Sequence, residues 1–346
     1  MPRRPISFEG RPLLDIASYA RRGPGRRDRL SPAEIEHISL TVHRTPEVMV
    51  KVLTRGGQNL GAVRKHFEYL NREGELEIET DDGQRLDGKG VERDLIDDWD
   101  LDIEEDRRRS SLDARPSRPP PKLVHKVLFS MPPGTPSQKV LEAVKRFARE
   151  EFAFKHRYAM VLHTDEPHPH VHMVIRAVSD QGERLNIRKS TLRLWRSEFA
   201  WHMRALGIAA NATERAVRGN TSAPVRGAIY RVAQRGESRL LDRRMQHVPH
   251  VGISERDREA QGKSTLVETR KSVFSGWAAV SKLLRLQGRA ELAARAKIFS
   301  AAMRTPLISI ERAGRQLDRV RSPSWDDRSP PSHGSVRNFV CDGTAL

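Results

Sequence analysis

The stretch His163-Thr-Asp-Glu-Pro-His-Pro-His-Val-His172 constrains this chain more than any other segment of its length. Apolar runs flank it, Tyr158 to His163 on one side and His170 to Val178 on the other. Pro167 and Pro169 interrupt what lies between, so the intervening residues can only turn. Two such runs joined by a tight turn form an antiparallel hairpin. Strand side chains alternate between faces, which puts His170 and His172 on the same side. Across the turn, His163 falls opposite His170 and on that same face. Three imidazoles then converge on one point, an arrangement that suits a divalent cation with positions open for substrate oxygens. A lone strand histidine is usually a satisfied surface or core residue. Three packed together without a metal would need partners for every ring nitrogen. His168, between the two prolines, reads as loop. Asp165 is expected to orient an imidazole by accepting its other N–H. A proton acceptor and an ordinary turn aspartate are the alternatives for it.

The rest of the chain supplies a setting for that hairpin. Val48 to Leu53 reads as a buried strand, broken by Gly56-Gly57 and followed by a helix from about Asn59 to Arg72. Glu75 to Arg85 reads as a short hairpin turning at Asp82-Gly83. Lys122 to Ser130 is a further strand. The helix after it is expected to be capped by Thr135, with Pro136 in its first position and Gln138 completing a capping box. A last amphipathic helix runs from about Ser190 to Leu206 and stops at Gly207. The expected class is α+β, a largely antiparallel central sheet with helices packed on it, plus an Arg-rich helical or disordered C-terminal extension. The expected divisions are a basic N-terminal extension over 1–45, with a short helix after Ser31, and a central domain over 46–220. Within the latter, 90–121 reads as a charged, proline-rich insertion. A basic helical region over 221–321 and a disordered tail over 322–346 complete the chain.

Charge narrows the partner. Lys and Arg number 62 against 45 Asp and Glu, a net charge of +17 in 346 residues. Such an excess favours a polyanion. No apolar run approaches the roughly 18 residues of a membrane helix, so nucleic acid is favoured over a lipid surface, and membrane insertion is not expected. Cys341 is the single cysteine. It fits a reducing cytoplasm and leaves any metal to His, Asp or Glu. Arg215, Arg218, Arg226, Arg231, Arg235, Arg239, Arg243 and Arg244 form a basic run suited to phosphates or to a protein partner.

A nucleophile candidate stands in the first long helix. Leu60, Val63, Phe67 and Leu70 make its core stripe, and Tyr69 points roughly the opposite way. Its neighbours at i−4 and i+3 are Lys65 and Arg72. Two cations there suit phosphates and an attacking oxygen, which a phenol at neutral pH needs. An exposed helical tyrosine with no role is the plain alternative. Of the other tyrosines, Tyr19 and Tyr230 lie in the flanking segments and Tyr158 heads an inner strand.

Together these residues resemble the relaxases, the mobilisation nucleases of conjugative plasmids, and among them the group that includes the T-DNA border endonuclease. The family's histidine motif, HxDxxxxHxH, is matched by His163, Asp165, His170 and His172, with Val171 as the hydrophobic residue between the last two. His66-Phe-Glu-Tyr69-Leu-Asn-Arg matches its tyrosine motif, and Ser130-Met-Pro-Pro-Gly134-Thr a strand-to-helix element. Leu185-Asn-Ile-Arg-Lys-Ser190 also looks like this group. The similarity spans roughly 48–220.

The resemblance implies that the three histidines hold Mg²⁺ or Mn²⁺ and that Tyr69 attacks a phosphate to leave a 5′-phosphotyrosine. Asp165 assists, and Lys65, Arg72, Ser130, Arg188 and Lys189 contact DNA. The implied partners are single-stranded or supercoiled plasmid DNA at an origin of transfer, relaxosome accessory proteins and the coupling protein of a type IV secretion channel. The implied place is the bacterial cytoplasm, with translocation alongside the DNA. Glu73 at i+4 from Tyr69 leaves no paired-tyrosine motif. A rolling-circle replication initiator or transposase of the same superfamily is one alternative, and a non-catalytic relaxosome DNA-binding protein is the other.

Overall fold

The computed structural model describes residue 16 and residues 29–53, 57–112, 121–219 and 253–303. Tyr19, Tyr230, Cys341, the arginine run from Arg226 to Arg244 and the 322–346 tail lie outside these.

The described elements, in order, are α1 (Pro32–Val42), β1 (Met49–Leu53), α2 (Leu60–Asn71), β2 (Ile78–Thr80), β3 (Arg85–Leu86), α3 (Val91–Asp98) and α4 (Leu101–Leu112). Then come β4 (Val124–Ser130), α5 (Ser137–Phe152), β5 (Tyr158–His163), β6 (His170–Arg176), α6 (Lys189–Ala205), α7 (Ile253–Leu286) and α8 (Ala290–Ala301). The strands form one sheet in the order β1-β4-β6-β5-β2-β3, every neighbouring pair antiparallel. This is the α+β architecture expected from the sequence. The chain divides into two compact units. One comprises residues 1–218 with 273–303, the other 219–272 with 304–346.

The central strands are covered on both faces, which is why β4, β5 and β6 read as apolar runs with little alternation. On one face, Val127, Phe129, Met160, Val171, Met173 and Ile175 pack against α5 and α6 through Phe147, Phe152, Trp195 and Phe199. On the other, Val124, Ala159, Val161 and Val174 pack against α2 and α3. Strand parity sorts the residues: the histidines belong to the second face.

Residues 90–121 depart from the expected insertion. Their first part is α3 and α4, and Val91, Leu95, Ile96, Trp99 and Leu101 are buried beside Phe67 and Leu70. Trp99 meets Phe67 edge-on at 5.8 Å. Arg157 bonds Asp81 at 3.0 Å and Asp98 at 2.6 Å, tying the end of α3 to the β2–β3 turn. These apolar residues sit among acidic ones, so local composition hid a core-forming pair of helices.

The start of α5 also differs. Thr135 does not cap it; its hydroxyl donates to the Pro132 carbonyl at 2.9 Å, closing the preceding turn. The helix begins at Ser137 after Pro136, without a side-chain cap. The capping box belongs instead to α1. Ser31 accepts from the Glu34 N–H at 3.2 Å, and the Glu34 carboxylate accepts from the Ser31 N–H at 2.8 Å.

The segment expected as a loose N-terminal extension contributes to a third apolar cluster, in which Ile38 of α1 packs with Trp277, Val280 and Leu284 of α7 and with Ala293 and Ala296 of α8. Glu47, Thr41, Asn211 and Thr213 are cross-linked by hydrogen bonds, Asn211 donating to Thr41 at 3.1 Å and Thr213 N–H to Glu47 at 2.7 Å. These bonds join α1, the lead into β1 and the segment after α6.

Candidate metal centre and nucleophile

The β5–β6 register pairs His163 with His170 and Val161 with His172, and the β4–β6 register pairs Ser130 with His170. All these side chains share a face. The imidazole centroids are 4.8 Å apart for His163–His172, 5.2 Å for His170–His172 and 5.3 Å for His163–His170. One nitrogen from each ring lies within 4.8 Å of the others.

Backbone carbonyls orient two of the rings. His163 donates through Nε2 to the Leu70 carbonyl at 3.0 Å, and His170 through Nδ1 to the His168 carbonyl at 2.9 Å. The Nδ1 atoms of His163 and His172 are buried and have no hydrogen-bond partner among the described residues. Burial, and then the neighbouring imidazoles, push His172 down to about 3. Burial also lowers His163. Neutral rings with buried, unshared lone pairs converging within this distance fit a divalent cation.

Asp165 does not orient an imidazole. Its carboxylate pairs with the Arg72 guanidinium. Against a burial effect that raises it, Arg72, a backbone N–H and the His163 and His170 rings hold this carboxyl below its ordinary range. The carbonyls of Leu70 and His168 take the ring N–H groups of His163 and His170, and the Asp165 carboxylate goes to Arg72.

Tyr69 comes to this cluster from α2. Asn59 caps that helix by accepting from the Ala62 N–H at 2.7 Å, and Glu105 of α4 accepts from the Leu60 N–H at 3.3 Å. Val63, Phe67 and Leu70 bury its core stripe, while Tyr69 is 51% exposed, as the periodicity predicts. The phenol ring lies 6.1 Å from the His163 ring and 6.2 Å from that of His172. Arg72, in the left-handed region at the helix end, places its guanidinium 4.8 Å over the Tyr69 ring. Lys65 and Arg72 line a cleft of about 620 Å³ beside Tyr69.

Ser130 is buried and cross-strand from His170. Arg188 and Lys189 stand exposed at the start of α6, the helix packed on the opposite sheet face, so the fold does not gather them at the histidines.

Sequence reasoning gave no role to two residues on the histidine face. His66 stacks on Tyr69 at 6.2 Å and meets His172 edge-on at 6.2 Å. Burial, with Lys126 and His163 nearby, pushes it down to about 3, and its buried Nε2 lacks a partner among the described residues. Its i−3 spacing from Tyr69 was the available signal. Lys126 has the same strand parity as Ser130 and is buried; burial, and then Lys122, push its ammonium down to about 8.

An antiparallel sheet presents three histidines beside an exposed helical tyrosine, an arrangement that could hold a metal ion next to a phenol. Residues 69–200, which carry both, match the family model described as "Relaxase: MobA/VirD2-like, nuclease domain". The chain is similar to the T-DNA border endonuclease VirD2 of Agrobacterium fabrum, 26% identical over 214 residues, covering 56% of this chain and 46% of that protein. The same-named protein of Rhizobium radiobacter is 26% identical over 209 residues, covering 56% and 48%. The chain thus spans about half the length of the curated relatives it matches. Among the described residues no helix is long and apolar enough to cross a membrane.

Proposed function

We propose that this protein is a DNA-nicking relaxase that cuts one strand at a plasmid origin of transfer. Tyr69 Oη bonds to the scissile phosphorus, the P–O3′ bond breaks, and the phenolic proton leaves while the 3′ oxygen gains one. The product is a 5′-phosphotyrosine with a free 3′-hydroxyl. Because one phosphodiester replaces another, the bond energy is kept and reversal religates the strand.

The observation that carries this reading is the Tyr69 ring about 6 Å from the rings of both His163 and His172. His163, His170 and His172 would hold Mg²⁺ or Mn²⁺, which supplies Lewis-acid polarisation of a phosphate oxygen. Arg72, held by Asp165, lies over the phenol and offers charge to the phosphate. Lys65 extends the cationic rim, and Ser130 donates a hydroxyl from the sheet floor. Arg188 and Lys189, on the far side, serve DNA outside the cut site. Relaxosome accessory proteins and a type IV secretion coupling protein are the proposed partners. The cytoplasm is its proposed place, with passage alongside the DNA.

The test is a cleavage assay. The protein and its Tyr69→Phe variant are mixed with labelled single-stranded oligonucleotides from candidate transfer origins and Mg²⁺ or Mn²⁺, then run on denaturing gels. A metal-dependent covalent protein–DNA band, absent in the variant, is expected. A band surviving in the variant moves the nucleophile elsewhere. Binding without cleavage on every origin sequence favours a non-catalytic relaxosome protein.

A further inference from the structure

On the histidine face, the sheet's two halves are covered differently. Over β5, β6 and β2, helices α2 and α3 bury Ala159, Val161, Val174 and Ile78. Over the edge strand β1, the side chains of the same parity are uncovered: Met49 is 45% exposed and Lys51 is exposed. β4 is the boundary strand between these halves. It carries Ser130 opposite Met49, Leu128 opposite Lys51 and Lys126 opposite Leu53.

Lys126 is therefore a diagonal neighbour of Lys51 on one side. On the other it is a diagonal neighbour of His172, which pairs with Leu128. Such diagonals span about 7–8 Å, within reach of long side chains. Lys126 is only 5% exposed, yet no ion pair to a carboxylate is formed by it among the described residues; Lys122 and His66 also act on it, alongside the diagonal Lys51 and His172. A largely buried lysine among other nitrogen bases carries a desolvation cost that an anion offsets. The fold supplies none. Asp165, in the histidine turn, is paired with Arg72.

We propose that Lys126, with Lys51 beside it, is the seat for a backbone phosphate of the bound strand next to the scissile one, the strand running over the uncovered β1–β4 floor toward the histidines. This rests on the DNA-nicking reading. It extends that reading by naming a path for the strand and a residue that grips it. A bound phosphate supplies the anion that the fold does not place beside Lys126.

The test needs neither cleavage nor a known nick site. Binding of a labelled oligo(dT) is followed by fluorescence anisotropy in EDTA over a range of salt, for the native chain, Lys126→Met, Lys126→Arg and the control Lys139→Met on the opposite layer. Thermal melting is measured on each. Lys126→Met should bind about tenfold more weakly at low salt, with a log–log salt slope shallower by about 0.7, the loss of one single-strand phosphate contact. Its melting temperature should hold or rise, and Lys126→Arg should keep the native slope. Lys139→Met, which removes the same net charge, should change neither. Equal effects at 126 and 139, or an unchanged Lys126→Met, overturn the proposal. So does a Lys126→Met that melts lower together with a Lys126→Arg that binds no better, since both mark a structural lysine. A native chain that fails to bind oligo(dT) overturns the DNA reading itself. Binding that is intact without Lys126 removes this inference alone.

Discussion

His163 donates through Nε2 to the carbonyl of Leu70, 3.0 Å away, and so joins a metal-site strand to the last turn of the helix that carries Tyr69. The bond satisfies a helix-end carbonyl that has no partner within the helix. It also fixes the imidazole, leaving Nδ1 for a cation. One hydrogen bond therefore ties the helix that carries Tyr69 to the histidine cluster.

That dual role separates His163 from His170. His163→Ala is expected to abolish Mn²⁺ binding and also to speed hydrogen exchange in the last turn of α2. His170→Ala should abolish Mn²⁺ binding with α2 exchange unchanged, because its orienting partner is the local His168 carbonyl. Equal exchange rates in the two variants would remove the coupling.

Tyr69→Phe should lower covalent adduct formation by about 10³-fold or more. Half-exposed and outside the core stripe, the hydroxyl makes no packing contribution, so the melting temperature should stay within a degree or two of native. Mn²⁺ binding, read by thermal shift, should also persist.

Asp165→Asn removes the charge that holds Arg72 over the phenol. Both partners are partly exposed, so stability should change by less than about 1 kcal/mol. Adduct formation should fall about tenfold, an effect that Arg72→Ala reproduces without adding to it. Additive losses in the double variant would show that the two side chains act separately.

His66 and His172 give the metal-free protein a pH dependence with a definite sign. Both are pushed down to about 3 in the fold from an ordinary 6.5, chiefly by burial. As the pH falls below 6.5 the unfolded chain takes up protons that the folded chain refuses. Their contribution to stability is therefore fully present above 6.5 and is lost progressively as the pH falls toward 3. Urea midpoints in EDTA should drop between pH 7 and pH 4. A His66→Asn, His172→Asn double variant should show a flatter decline; the same slope in both would assign the acid sensitivity to other groups.

Trp99→Ala should destabilise the protein by roughly 3–5 kcal/mol, since the indole is fully buried against Phe67. Urea unfolding measures it. A loss below 1 kcal/mol would return this stretch to the status of a linker.

What was legible in the sequence follows from how local each pattern is. The histidine hairpin needs only strand alternation and a proline-bounded turn, so three residues on one face could be read from ten positions. Tyr69 needed only helical periodicity. Trp99 was hidden because its apolar neighbours, Val91, Leu95 and Ile96, are scattered among acids that a composition-based reading takes as solvated. Lys126 was hidden for a different reason. A lysine in an apolar strand reads as a residue facing water, and only the placement of α2 over the sheet shows that it is covered. The packing of Ile38 against Trp277 has no local sign at all, being made between segments far apart in the chain.

The three histidines sit on one hairpin, whereas the tyrosine comes from a helix whose bond to that hairpin spans 93 positions of sequence. In time, not space, these are different events. A hairpin closes through short-range contacts, and the distant docking of a helix must wait for a much larger loop to be brought together. The newborn chain thus gathers its three histidines before Tyr69 joins them, so the proposed cutting site is completed only with the rest of the architecture.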